Sequence, residues 1–189
     1  MTRFFLTLAL ALGLVAGASA QAQDHNTTRS NQAGDNNFAD VDQVGEDNDA
    51  DVNQSGDDNS VFVDQISTGS NDAVVNQSGD DNSVFVDQIS TGSNDAVVNQ
   101  SGDANTAIVT QGTPPFASGG NSADVTQIGD GNYVLIDLES DSNDAVVNQS
   151  GDANTAIVTQ GTPPFASGGN SAHVTQIGDG NSASFTQGN

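Results

Sequence analysis

The sequence has no cysteine, no tryptophan, 4 prolines and only 2 Lys or Arg among its 189 residues. Without cysteine, neither a disulfide nor a thiolate site can hold or serve the fold. The shortage of base is sharper still: from Gln21 onward, Arg29 stands alone against 25 Asp and Glu. A chain this acidic is repelled by nucleic acid and by anionic membrane surfaces. Aromatics make up 5% and hydrophobic residues 34%, beside 21 glycines, a composition that by itself points to disorder. Long apolar stretches are also missing apart from one, Phe4 to Val15. It follows Arg3 and precedes Ala18-Ser19-Ala20, so residues 1–20 read as a secretory signal peptide with an alternative cut after Ala22. The run is too short to favour a membrane anchor, and the chain is expected to be secreted with no membrane insertion.

Repetition overrules the disorder prior. Asp57 to Gly79 recurs unchanged as Asp80 to Gly102, and Ser93 to Asn132 recurs as Ser142 to Asn181 with one change, Asp124 to His173. A unit that can be copied in tandem buries, between copies, side chains that no copy buries alone. Within these duplications lies a shorter frame, Asn-x-Ala/Val-x-Val-x-Gln. It opens at Asn37, Asn48, Asn59, Asn71, Asn82, Asn94, Asn105, Asn121, Asn132, Asn143, Asn154, Asn170 and Asn181. The spacing is 11 residues in most cases, 12 twice and 16 twice, and all the longer gaps follow alternate modules. The structural unit is therefore a pair of modules. Residues 21–36 are polar and lack the full frame; they read as a flexible leader, with Gln32-Ala33-Gly34 the remnant of a half-module, ahead of a repeat domain at 37–189.

Each module alternates with period two, which argues for strands. Gly-Asp-x-Asn closes every even module, and this is turn chemistry: glycine takes positive φ, and Asp or Asn bonds the local backbone. Strand, turn, strand, turn in tandem fits either an antiparallel meander or a solenoid. Insertions confined to alternate corners favour the solenoid. The expected fold is all-β, a parallel β-solenoid (β-helix) of about six and a half two-strand coils, amyloid-like, and about 30 Å tall at roughly 4.8 Å per coil.

In that fold the frame residues share a face and point inward. Ala and Val form a thin dry core. Buried amides are costly unless paired, but in a parallel in-register stack each can bond its equivalent one coil away. The expected ladders are Asn48, Asn71, Asn94, Asn121, Asn143 and Asn170; Gln54, Gln77, Gln100, Gln127, Gln149 and Gln176; and Gln43, Gln65, Gln88, Gln111, Gln160 and Gln187. Leu138 interrupts the last series. Phe62, Phe85, Ile108, Leu135 and Ile157 are expected as an apolar stripe on one outer wall, serving lateral contact or stacking on one another.

The modules NDAVVNQSGDDN from Asn71, NSADVTQIGDGN from Asn121 and NSAHVTQIGDGN from Asn170 resemble the curlin repeat of bacterial curli fibre subunits. The resemblance covers essentially all of Asn37 to Asn189. It implies a secreted, structural, non-enzymatic subunit that self-assembles into amyloid fibres (pilus-like) for cell adhesion and biofilm matrix. It further implies a nucleating curlin subunit and an outer-membrane secretion channel as partners, the channel reading the polar leader.

The alternative is a secreted calcium-binding β-roll or adhesin that does not polymerise, suggested by the Gly-Asp-Asp-Asn corners at Gly56 and Gly79. The chain lacks the nonapeptide period and glycine density of such rolls. No catalytic, cofactor or metal residues are expected. His25 lies in the leader and His173 replaces an outward Asp; both read as solvated.

Overall fold

A strand with one apolar face is stable only when it is paired at its edges and covered on that face. The computed structural model describes residues 15–22, 25–112, 120–161 and 169–188. Among them it meets this demand with fifteen strands, β1 to β15 in chain order, and no helix. One parallel sheet holds β1 (Val15–Ala22), β3 (Phe38–Gly45), β5 (Ser60–Ser67), β7 (Ser83–Ser90), β9 (Thr106–Gln111), β11 (Tyr133–Leu138), β13 (Thr155–Gln160) and β15 (Ser182–Gln187). The facing parallel sheet holds β2 (Thr27–Ala33), β4 (Asp49–Ser55), β6 (Asn71–Ser78), β8 (Asn94–Ser101), β10 (Ser122–Ile128), β12 (Asp144–Ser150) and β14 (Ser171–Ile177). The chain passes from one wall to the other and back, so alternate modules occupy alternate walls of a β-solenoid.

The register is that of the duplication. Asn71 pairs with Asn94, Ala73 with Ala96, Val75 with Val98 and Gln77 with Gln100. Ala73, Val75, Val84 and Val86 are wholly buried and, with their equivalents in other coils, form a continuous core. Ala and Val suit it because the two walls leave only a thin layer between them, and β-branched valine favours the pleated backbone.

Corners continue the ladder. The Gly79 N–H donates to Ser55 O at 3.0 Å and the Asp81 N–H to Asp57 O at 3.0 Å, so backbone bonding between coils does not stop where the strands do. Glycine is required there on two counts. Gly79 has φ of 112°, and a Cβ on it would lie 2.2 Å from the Gly102 carbonyl oxygen. The longer spacings all depart from the ends of β5, β7, β9 and β13, on one side of the solenoid. The two Pro-Pro insertions (Pro114-Pro115 and Pro163-Pro164) lie outside the described residues.

The leader departs from expectation. Thr27–Ala33 is not flexible but is strand β2, in register with β4. The frame is present from Asn26 as Asn26, Thr28, Ser30, Gln32 and Gly34, disguised because Thr and Ser stand where Ala and Val recur. That half-coil completes the six and a half expected, making seven strand pairs from β2–β3 to β14–β15. Residues 1–14 of the expected signal peptide lie outside the described residues. Its end, together with Gln21 and Ala22, forms β1, paired in parallel with β3 from Val15↔Phe38 to Ala22↔Gly45.

Two glycines separate backbone freedom from crowding. Gly131 also has positive φ, 64°, but a Cβ there would meet nothing within 4 Å. Gly79→Ala should therefore destabilise the fold by several kcal/mol where Gly131→Ala costs about 1 kcal/mol. Urea midpoints of the two variants check this, and equal losses would refute the crowding argument.

Candidate functional site: amide ladders and open ends

Inward amides mark both ends of the frame, Asn at the start of each strand and Gln near its close, except at Leu138. Gln54, Gln77, Gln100, Gln127, Gln149 and Gln176 are all buried, and each donates Nε2–H to the Oε1 of the next. The distances are 2.9 Å for Gln54 to Gln77, 3.0 Å for Gln77 to Gln100 and 2.8 Å for Gln100 to Gln127. They continue at 3.0 Å for Gln127 to Gln149 and 2.8 Å for Gln149 to Gln176. Gln32 of the leader extends the file downward at 2.6 Å from Gln54. The second hydrogen of each amide crosses the core to a carbonyl of the opposite wall, as Gln54 does to Phe38 O at 2.9 Å and Gln77 to Ser60 O at 3.3 Å. These glutamines tie coil to coil and wall to wall together.

The other glutamine file does the same through Gln43, Gln65, Gln88 and Gln111, at 2.8 Å per step. Leu138 then breaks it. Gln111 keeps its bond to Asp95 O at 2.8 Å but has no amide above it. Gln160, deprived of a donor below, is satisfied with its nitrogen facing Asp144 O and its oxygen facing the Ala172 N–H, both at 3.1 Å. Gln187 stands 3.5 Å from it at the last rung.

The asparagines differ from expectation. Along Asn48, Asn71, Asn94, Asn121 and Asn143, the carboxamide oxygen accepts the backbone N–H of the next asparagine, at 3.3, 3.2, 3.2 and 3.0 Å. Their NH2 groups turn instead to carbonyls at the corner, such as Gln88 O for Asn71. Only the end members stack amide to amide, Asn48 on Asn26 and Asn170 on Asn143. Unbroken amide stacking of asparagine belongs to the opposite wall, where Asn59, Asn82, Asn105, Asn132, Asn154 and Asn181 each donate to the one below at 2.9 to 3.1 Å. The physical reason is corner shape. On that wall each strand follows a regular Gly-Asp-x-Asn turn, whereas the variable corner brings different carbonyls within reach of the NH2.

A corner file of carboxylates went unread as a ladder. Asp57 Oδ1 accepts the Asp35 N–H at 2.8 Å, Asp80 the Asp57 N–H at 2.8 Å, and the series continues through Asp103, Asp130, Asp152 and Asp179. The Gly-Asp-Asp-Asn corners thus spend their first carboxylate on the neighbouring coil. Among the described residues no three of His, Cys, Asp or Glu converge on one point. His25 lies 3.4 Å from Asp47, both exposed, and His173 stands outward beside Asn148 and Thr175.

Outward acids on both walls sit one rung apart. Burial raises the carboxyls of Asp64 and Asp87 above the usual range, and each is raised further by the Asp one coil below it. Asp72 and Asp95 are raised by burial first and by neighbouring acids second, and Asp137 by burial. Phe62 and Phe85, 41% and 43% exposed, share a file with the half-buried Ile108, Leu135 and Ile157 beside the Asp64 file.

The two ends of the stack are unlike. At the C-terminal end β14 and β15 are edge strands, and the inward Phe185 is 37% exposed where its equivalent Val158 is wholly buried. At the N-terminal end Ser30 Oγ and Gln32 Oε1 are buried without a hydrogen-bond partner among the described residues.

Leucine evidently fits the glutamine position, so Gln88→Leu isolates the amide bonds from the volume. It should cost about 1–3 kcal/mol, because Gln65 loses its acceptor and Asp72 O its donor, while Leu138→Gln costs less. Denaturant unfolding of both variants measures this; equal or reversed effects would show that the ladder contributes no net stability.

The curlin associated repeat matches three stretches of the chain, residues 34–66, 56–89 and 120–151. No curated protein gives a significant match. The matched stretches carry the Asn, Gln and Gly positions that build the ladders and corners, so the chain carries repeats of the curlin family, a family of structural subunits.

Proposed function

We propose that the chain is exported, loses residues 1–20, and polymerises end to end into extracellular curli-type amyloid fibres that serve cell adhesion and biofilm matrix. The partners in this reading are further copies of the chain, a nucleating curlin subunit and an outer-membrane secretion channel. The observation that carries it is the complementarity of the two ends. Above β14 and β15 the next rung would be β2 and β3 of another copy, and the frame continues across that junction: Gln176 over Gln32, Gln187 over Gln43, Asp179 over Asp35. The Gln ladder runs with nitrogen toward the C-terminal end, so Gln176 Nε2 is directed at the position where Gln32 Oε1 of the next copy, without a donor in its own chain, would lie. Parallel edges with unpaired N–H and C=O groups template addition of a like strand. β1 occupies the β3 edge, so removal of residues 1–20 opens the site that β15 of a neighbour would take.

Purified chain beginning at Gln21 should form fibres with a meridional spacing of about 4.7–4.8 Å. Seeds should shorten its lag, and the chain retaining residues 1–20 should assemble more slowly. A chain that stays monomeric at high concentration with seed present would overturn the reading.

Acid charge opposes this assembly. A carboxyl whose folded pKa is raised disfavours the folded state when ionised, so stability is gained as pH falls through the raised value and levels off below the usual 3.8. Stacking adds further like charges one rung away, where two unit charges in water repel by roughly 1 kcal/mol. Lag times at low salt should therefore be shorter at pH 5 than at pH 8, and the double variant Asp64→Asn, Asp87→Asn should assemble faster at pH 8. Equal lags across that range would exclude charge as the brake.

A further inference from the structure

The two walls of the solenoid carry different outer surfaces. On the wall built from the odd-numbered strands, the outward side chains of β5 to β13 lie in three files two residues apart. The middle file is apolar, with Phe62, Phe85, Ile108, Leu135 and Ile157 over one another in register. One flank is a run of hydroxyls, Ser60, Ser83, Thr106, Tyr133 and Thr155. The other flank holds Asp64, Asp87, Thr110, Asp137 and Thr159. The even-numbered wall is acidic along its first outward file at Asp72, Asp95 and Asp144, and its middle file mixes Val74, Val97 and Val146 with Asp51 and Asp124.

Two observations mark the odd-numbered wall as a face that something covers. The apolar file is contiguous, and its rings Phe62 and Phe85 are 41% and 43% exposed, the signature of a contact surface. Asp87 Oδ1 and Asp137 Oδ1, in the flanking file, are shielded from solvent and have no hydrogen-bond partner among the described residues. A donor brought to this wall from outside would relieve that cost.

We infer that the odd-numbered wall is an interface between two copies of the chain, related by a two-fold axis parallel to the solenoid axis, so that columns associate as closed pairs. Charge selects this arrangement among the ways of covering the wall with a second copy. The axial two-fold lays the apolar file on itself and each acid file on the partner's hydroxyl file, rung for rung. Ser83 then meets Asp87 of the second copy, and Tyr133 meets Asp137. The exposed Asp40 faces itself only beyond the last apolar rung, where water screens it.

The other arrangements bring acids together. A two-fold across the solenoid axis, which reverses one column, would set Asp87 against Asp137 at the centre of the contact, once on each side. Copies in one orientation, wall against opposite wall, would set Asp64, Asp87 and Asp137 against Asp72, Asp95 and Asp144, because the chain runs out along one wall and back along the other. That last contact is also the open one, which would add columns without limit. Its repulsion stops association at the pair.

Five rungs by three files cover about 500 Å² per chain, or about 1,000 Å² in the pair, close to the least that a specific contact needs. Single chains therefore pair weakly. Where copies stack end to end as proposed above, every added chain brings another such patch, and this strengthening alone rests on that reading.

The chain lacks cysteine, so introduced thiols report contact without background. Soluble chains beginning at Gln21 and carrying Thr106→Cys are mixed with chains carrying Thr110→Cys and treated with a thiol cross-linker about 10 Å long, the spacing of facing sheets. The product joining the two variants should dominate. A product of two Thr106→Cys chains in its place would overturn the axial two-fold. Mixed product no greater than Val74→Cys chains give from the opposite wall would overturn the interface. Fibres of the unaltered chain should have about twice the mass per unit length of a single column, measured by electron scattering. Phe62→Ser with Phe85→Ser should return them to single columns and lower cross-linking about tenfold or more. Ser83→Asp removes no apolar side chain but sets a second acid against Asp87, and should do the same, so a folding defect in one variant does not decide the matter. Variant fibres as heavy as the parent's would sink the pairing. If chains never join end to end, cross-linking of soluble chains still tests the wall; single columns growing normally from the unaltered chain would refute the pairing and leave the end-to-end reading standing.

Discussion

Everything in this molecule depends on parallel strands stacking in register at one-rung intervals. A parallel ladder puts each residue directly over its equivalent, so every side chain meets a copy of itself or a near relative. That constraint selects the residue types. Valine and alanine stack into a continuous core, amides into hydrogen-bonded files, and glycines into corners where a Cβ on Gly79 would strike the Gly102 carbonyl. It also explains why the gene can be lengthened by copying 23 residues at a time without disturbing its neighbours.

The interior is unusual in being half polar. Buried amides ordinarily cost free energy unless both hydrogens and the oxygen are matched. Here Gln54 and its equivalents are matched in two directions, along the axis to the next glutamine and across the core to the opposite wall. Leu138 shows what the amide does by lacking it. The position tolerates an apolar side chain of similar size, but the rungs on either side must then find other partners, as Gln160 does at Ala172 and Asp144. The amides specify register, since a one-residue slip would bury Asp72 and Asp95 in their place.

The same regularity makes both ends incomplete. A stack closed by geometry on its sides has two edges by necessity, and the described residues offer no polar cap at the C-terminal one, where Phe185 and Ala183 lie uncovered by any further coil. Heavy acidity fits this exposure. Files of outward Asp, raised in pKa by burial and by each other, oppose close approach of like chains and weaken in that role as they take up protons.

Much of this was legible in the amino-acid order itself. Period-two alternation fixed strands, odd and even spacing fixed two walls, and identity between copies fixed the register, because a frame repeated that closely can satisfy its own amides in one stacking only. The glutamine files and the buried Ala and Val positions follow directly. The starting half-coil was hidden, since Thr28 and Ser30 break the apolar pattern while keeping the backbone path, and backbone hydrogen bonding does not read side chains. Tertiary structure alone decided how the asparagines bond, which depends on where corner carbonyls sit. It alone decided that the corner aspartates form a file. Those are properties of surfaces brought side by side by the coil, and no local pattern in the chain encodes the distance between them.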